Sequence, residues 1–135
     1  MNPRDVFGGK EDGLESKLPN YEQEDKITPL TIQGIEYQLL TYEYNNLMQI
    51  LTETGTEIKE LKKYKEGYPL NKYFGIGIEN YSITKLQINK YELTKMPLEI
   101  GKLTQLEYLD LGKNKISTIP AELKDLQNRG VIKII

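Results

Sequence analysis

A chain of 135 residues with 38% apolar and 28% charged residues has the size and composition of one globular domain with a modest core. Its formal charge of −2 and pI near 5.3 give no field that would draw nucleic acid to the whole molecule. It contains neither cysteine nor histidine. This excludes disulfide caps, thiolate metal sites and thiol nucleophiles, and it closes the usual routes to acid–base catalysis near neutral pH. The expectation is a protein that is not an enzyme and holds no cofactor or metal.

Residues 1–26 carry seven acidic side chains against four basic ones, with Gly8, Gly9, Gly13 and Pro19 interspersed. Such a segment buries too little surface to offset its ordering entropy, so it reads as a flexible acidic tail. Val6-Phe7 and Leu14–Leu18 are the alternative, short apolar anchors within it. The amino terminus lacks the apolar run of a signal peptide, and no stretch approaches the roughly 18 apolar residues of a membrane span. A cytoplasmic, reducing location without membrane contact is expected.

From Ile27 to Leu40 apolar and polar residues alternate around Gly34, which predicts a hairpin of two short strands. Thr41 is expected to cap a helix carrying Glu43 in its first turn and Leu47, Met48, Ile50 and Leu51 on its apolar face, stopped at Gly55. A second helical stretch is expected over 56–65, with Ile58 and Leu61 continuing the same buried line. Phe74, Ile76 and Ile78 then alternate with Gly75, Gly77 and Glu79, predicting a strand that turns at 79–82 and pairs with a strand beginning near Ile83. Neither Gly75 nor Gly77 belongs to a phosphate loop, since G-I-G-I-E-N lacks the third glycine and the following helix.

Residues 83–128 repeat with a period of 23: Ile83 falls on Leu106, Leu86 on Leu109, Ile88 on Leu111, Leu93 on Ile116, Met96 on Ile119, Pro97 on Pro120, Ile100 on Leu123 and Leu103 on Leu126. A third copy begins at Arg129. A fixed period of this length marks units that stack to share one core. The pattern L-x-x-L-x-L-x-x-N-x-I-x-x-I-P-x-x-L-x-x-L resembles the leucine-rich repeat, in the short intracellular form found in Ras-regulatory and related signalling proteins.

That resemblance implies an α/β fold: a short right-handed leucine-rich repeat solenoid with parallel strands, its repeats at 83–105, 106–128 and, in part, 129–135, capped by an N-terminal α+β segment at 27–82. It further implies that Asn114 bonds backbone groups at the bend after its strand, whereas Tyr91 at the equivalent place in the first unit precludes an asparagine ladder. Leucine-rich repeat proteins commonly bind other proteins on the concave sheet. The outward positions here are Lys85, Gln87, Asn89, Lys90, Tyr108, Asp110, Lys113 and Lys133, a mixed-charge surface around one tyrosine that suits a protein partner. Signalling or GTPase regulation follows by family analogy only. Leucine-rich repeat ubiquitin ligases carry a catalytic cysteine in a separate domain, which this chain does not contain.

Two alternatives accompany the concave site, besides a face that binds nothing in particular. The terminal run R-G-V-I-K-I-I places Ile132 and Ile134 at strand core positions and Val131 and Ile135 on the other face, leaving an open apolar edge. Self-association as a homodimer through these four residues, a bound partner, or a longer natural chain would each cover it. Lys59, Lys62, Lys63, Lys65 and Lys72 near Tyr64, Tyr68 and Tyr73 form the basic-and-aromatic mixture of single-stranded nucleic-acid sites. Glu57, Glu60 and Glu66 dilute it, and a solvated helix face is preferred.

Overall fold

The computed structural model describes residues 26–67 and 69–133, the last of them by its backbone alone. Residues 1–25 of the expected tail, Tyr68, Ile134 and Ile135 lie outside the described residues.

Strands β1 (Ile27–Ile32) and β2 (Ile35–Leu40) form the expected hairpin, paired antiparallel from Ile27↔Leu40 to Ile32↔Ile35. Gln33 and Gly34 both take positive φ (51° and 84°), the geometry of a tight two-residue turn whose twist matches the strands. Helix α1 (Thr41–Thr54) follows without a linker. Leu40, not Thr41, occupies the N-cap position, and the Thr41 hydroxyl lies 2.8 Å from that of Thr28 instead of capping the helix. Gly55 ends the helix in the left-handed conformation (φ 72°), where a glycine carries no side-chain penalty.

The second helix expected over 56–65 is absent. Glu57 and Glu60 close a reciprocal capping box around a single 3-10 turn at Ile58–Glu60, and the chain then extends into β3 (Lys62–Lys63). Pairing with a neighbouring strand outcompetes helix continuation: Lys62 lies opposite Gly75 and Lys63 opposite Ile76. Ile58 is consequently exposed, whereas Leu61 is buried.

Strands β4 (Tyr73–Glu79) and β5 (Ser82–Asn89) make an antiparallel hairpin turned by Asn80 and Tyr81, both at positive φ, with a register irregularity between Gly77 and Ile78. Two shorter strands add in parallel, β6 (Tyr108–Asp110) and β7 (Ile132–Lys133), the latter after helix α2 (Lys124–Asn128). The repeat sets their register, since Leu86 lies opposite Leu109 and Leu109 opposite Ile132. In the second half of each unit Pro97 and Pro120 precede 3-10 turns at Leu98–Lys102 and Ala121–Leu123. The turns pack closely: a methyl on Gly101 would come within 2.7 Å of Leu123 Cδ2.

The expected solenoid is not what forms. The molecule is a small α/β domain with two sheets, a two-stranded antiparallel one and a five-stranded mixed one in the order β3-β4-β5-β6-β7. Its longest pairing is the antiparallel β4/β5 hairpin, and the parallel additions span only three and two residue pairs. Residues 27–82 pack on the same core as the repeat units. Leu30, Leu39, Leu47, Ile50, Leu61, Phe74 and Ile76 belong to the same buried cluster as Leu86, Ile88, Leu103, Leu109 and Leu126. Units of a true array bury their apolar faces mainly against one another, and two complete units are too few for that. These two therefore share a core with the amino-terminal hairpin, helix and strands.

Candidate interaction surface

The face of the mixed sheet turned away from this core carries the residues expected to form a concave binding surface. Lys85 and Tyr108 are half-buried there and Lys113 is exposed, but Gln87, Asn89 and Asp110 are only 1%, 2% and 6% accessible. Of Lys133 only the backbone is described, opposite Asp110.

Gln87 is covered because the chain leaving β3 runs over it. The Tyr64 N–H donates to Ile76 O (3.0 Å), extending the β3/β4 ladder, and the Lys65 N–H donates to Gln87 Oε1 (3.1 Å). Gly75 permits the crossing, since a Cβ at that position would lie 2.7 Å from Gln87 Oε1 and 3.1 Å from Tyr64 Cα. Gln33 Oε1, at the β1/β2 turn, accepts the Lys63 N–H, and the Tyr73 hydroxyl donates to Lys63 O (2.7 Å). The strap is thus held at three successive residues.

Asn89 and Asp110 are buried for a different reason. Asn89 Nδ2 donates to Asp110 Oδ1 (3.1 Å) and to Gly112 O (3.0 Å), while Asp110 Oδ1 also accepts the Gly112 N–H. Beside them the Asn114 amide donates to Ile88 O (2.7 Å) and Leu111 O, and its Oδ1 accepts the N–H groups of Tyr91 and Leu93. These side chains satisfy backbone groups at the bends after β5 and β6. Asn89 and Asp110 hold the sheet rather than present themselves to a partner.

Aromatic and basic side chains crowd what remains accessible. The Tyr64 ring meets that of Tyr108 edge-on (centroids 5.5 Å apart, 82°), and Lys85 Nζ lies 5.4 Å from the Tyr64 centroid. Burial, a hydrogen bond with Tyr108, and the negative charges of Asp110 and Glu66 push the Tyr64 hydroxyl well above the ordinary tyrosine range. Lys72 Nζ lies 4.8 Å from the Tyr91 centroid, and Tyr91 packs edge-on against Phe74. Lys62, Lys63, Tyr64, Lys65, Lys72 and Tyr73 of the 59–73 patch thus lie beside Gln87 and Lys85 of β5, from which they are separate in the sequence.

Two depressions flank the Tyr64–Lys65 peptide. One, of ≈ 360 Å³, is lined by Lys62, Lys65, Lys72, Tyr73, Gln87 and Leu70, a residue 87% exposed. The other, of ≈ 270 Å³, lies between Tyr37 and Tyr64 over Gly77, with Lys63 and Lys85 at its rim. Tyr37 had no part in the sequence-based site. The glycines of β4 were its one available signal, because a glycine inside a strand pattern marks close approach of another backbone or a ligand.

At the carboxyl-terminal edge one residue differs from expectation. Val131 is buried, and its carbonyl accepts the Leu109 N–H (2.9 Å); Ile132 is half-buried against the core. Val131, expected on the outer face, therefore turns inward, Ile132 holds the core position expected of it, and β7 is the edge strand of the mixed sheet. Among the described residues no helix is long and apolar enough to cross a membrane, and no three acidic side chains gather as a metal site. No family model, curated protein or solved structure matches the chain.

Proposed function

We propose that this protein is a non-catalytic interaction module that binds an acidic, extended segment of a protein partner on the face around Tyr64, Lys85 and Tyr108. The observation that carries this reading is the convergence of Lys62, Lys63, Lys65, Lys72 and Lys85 with Tyr37, Tyr64 and Tyr73 around two adjoining depressions, in a chain whose formal charge is −2. Amphipathic rings with a basic rim are the ingredients of interface hot spots and of electrostatic steering. The resemblance of residues 83–128 to leucine-rich repeats supports protein binding as the class of function. The lack of histidine and cysteine supports the absence of catalysis.

A single-stranded nucleic acid is the competing ligand for such a patch, and the engagement of the Tyr64 ring counts against it. Base stacking needs open ring faces. Tyr64 is engaged edge-on by Tyr108 and overlaid by Lys85, and Tyr91 is overlaid by Lys72.

Affinity capture from a lysate of the source cells, with the native chain and a Lys65→Glu/Lys85→Glu variant side by side, tests the reading. Acidic proteins retained by the native chain are expected to be lost from the variant. Identical capture by both would end it.

A further inference from the structure

We infer that the depression between Tyr37 and Tyr64 is an anchor pocket that takes one large apolar side chain, Phe or Leu, from the acidic segment, while Lys63 and Lys85 receive the carboxylates on either side of it. The inference rests on the proposed partner-binding role and adds to it a rule of specificity.

Size is the first argument. At ≈ 270 Å³ the pocket falls just below the range of about 300–1,000 Å³ typical of small-molecule and cofactor sites, and it suits a single side chain. Its lining is the second. Tyr37 comes from β2, Tyr64 from the strap, Gly77 and Ile78 from β4, and Thr84 and Lys85 from β5. The walls are aromatic and aliphatic, with Lys63, Lys85 and Glu79 also in the lining, the residue mixture of an interface hot spot.

The floor is the third argument. Gly77 lies opposite Lys85, and a Cβ at residue 77 would come within 3.1 Å of Lys85 Cβ. Lys85 Cγ and Cδ would lie 3.5 Å from the same atom, so the aliphatic stem of Lys85 rests on Gly77 as the floor, and a substituent there would push that stem into the hollow. Gly77 has no positive φ to require glycine, unlike Gly34 or Gly55. Packing space, rather than backbone conformation, is what glycine supplies at this position.

Charge commits the occupant. Lys63 and Lys85 stand at the rim, and Lys62, Lys65 and Lys72 line the adjoining hollow beyond the Tyr64–Lys65 peptide, with Glu79 and Glu66 the acidic members of the two linings. An extended chain crossing Tyr64 would meet lysine on both sides, so its flanking residues must be acidic.

Fluorescence anisotropy at low ionic strength, with labelled acidic nonapeptides bearing a central Phe, Leu or Ala, tests this directly. The Phe and Leu peptides are expected to bind at least about tenfold more tightly than the Ala peptide, the discrimination an apolar pocket achieves for missing methylenes. Tyr37→Ala, which removes a wall, is expected to erase that preference and leave the Ala peptide's binding unchanged, and Gly77→Val, which pushes the Lys85 stem into the hollow, is expected to erase the preference as well. If Gly77→Val loses its cooperative melt, Tyr37→Ala decides. Equal binding of all three peptides to the native chain would overturn the anchor pocket while leaving acidic-segment binding intact. Binding of none would remove both, and tighter binding of an oligothymidylate than of any peptide would overturn the peptide class.

Discussion

The Glu43 carboxylate accepts the backbone N–H of Ile83 at 2.7 Å, tying the first turn of α1 to the start of β5. Both residues are fully buried, so this is a charge-capable group placed inside the core to satisfy one amide. Glu43→Ala would leave the Ile83 amide unsatisfied and cost about 1–3 kcal/mol in urea unfolding. Glu43→Gln keeps an acceptor and should cost less.

The same residue gives a pH dependence. Burial, opposed by hydrogen bonds from Ile83 and Ser82, raises the Glu43 carboxyl above its ordinary value of 4.5. A folded-state value above the unfolded one means the folded protein binds the proton more tightly. The Glu43 contribution to stability is therefore fully present below pH 4.5 and is lost as pH rises through the folded value. Urea midpoints measured across this window should fall with pH in the native chain, and Glu43→Gln should flatten that part of the profile. An unchanged profile would rule out Glu43 as its source.

Asn114 joins the two repeat units with four hydrogen bonds to the backbone groups of Ile88, Tyr91, Leu93 and Leu111. Asn114→Ala should destabilise by more than about 2 kcal/mol, since several part-buried groups lose partners together. Asn114→Asp keeps the acceptor and discards both donors, so it should rescue only part of the loss. Equal stability of the native and Ala proteins in denaturant titrations would refute this role.

Gly75→Ala tests the strap. The new methyl would clash with Gln87 Oε1 and crowd the Tyr64 backbone. Overpacking of this kind costs roughly 1–3 kcal/mol. The strap is the element able to yield, so amide exchange at Lys65 should accelerate more than exchange at Leu86 or Leu109. Uniform acceleration would indicate global destabilisation instead.

Lys85→Glu separates binding from folding. Its ammonium overlies Tyr64, and the side chain takes no part in the buried apolar cluster. The melting curve should shift by the equivalent of no more than about 1 kcal/mol, the scale of a partly exposed cation–π contact. Affinity for an acidic peptide should drop and its salt dependence should weaken.

Local patterns were legible where a periodicity and its punctuation agree. The hairpin around Gly34, the apolar face of α1, its stop at Gly55 and the β4/β5 turn are all readable because each is set by neighbours in the chain. The stretch at 56–65 misled because the i, i+3 spacing of Ile58 and Leu61 fits a helix as well as it fits a 3-10 turn leading into a strand. Only the Lys62–Gly75 and Lys63–Ile76 pairs decide between them. The candidate face was half readable for a related reason. Alternation placed Lys85, Gln87, Asn89, Tyr108 and Asp110 on one side of the strands, yet could not show that Lys65 crosses Gln87 or that Asn89 spends its amide on Asp110.

By itself the sequence determined the repeat register, because Leu86, Leu109 and Ile132 recur at one interval and a parallel ladder aligns residues of equal phase. It likewise excluded thiol and imidazole chemistry through composition. Tertiary structure decided that two units would not stack as an independent array but would complete a mixed sheet over a core shared with residues 27–78. It also decided which polar side chains are spent inside the protein and which stay at the surface. Those outcomes depend on long-range burial and backbone pairing, where the gain comes from groups far apart in the chain and no local pattern records it.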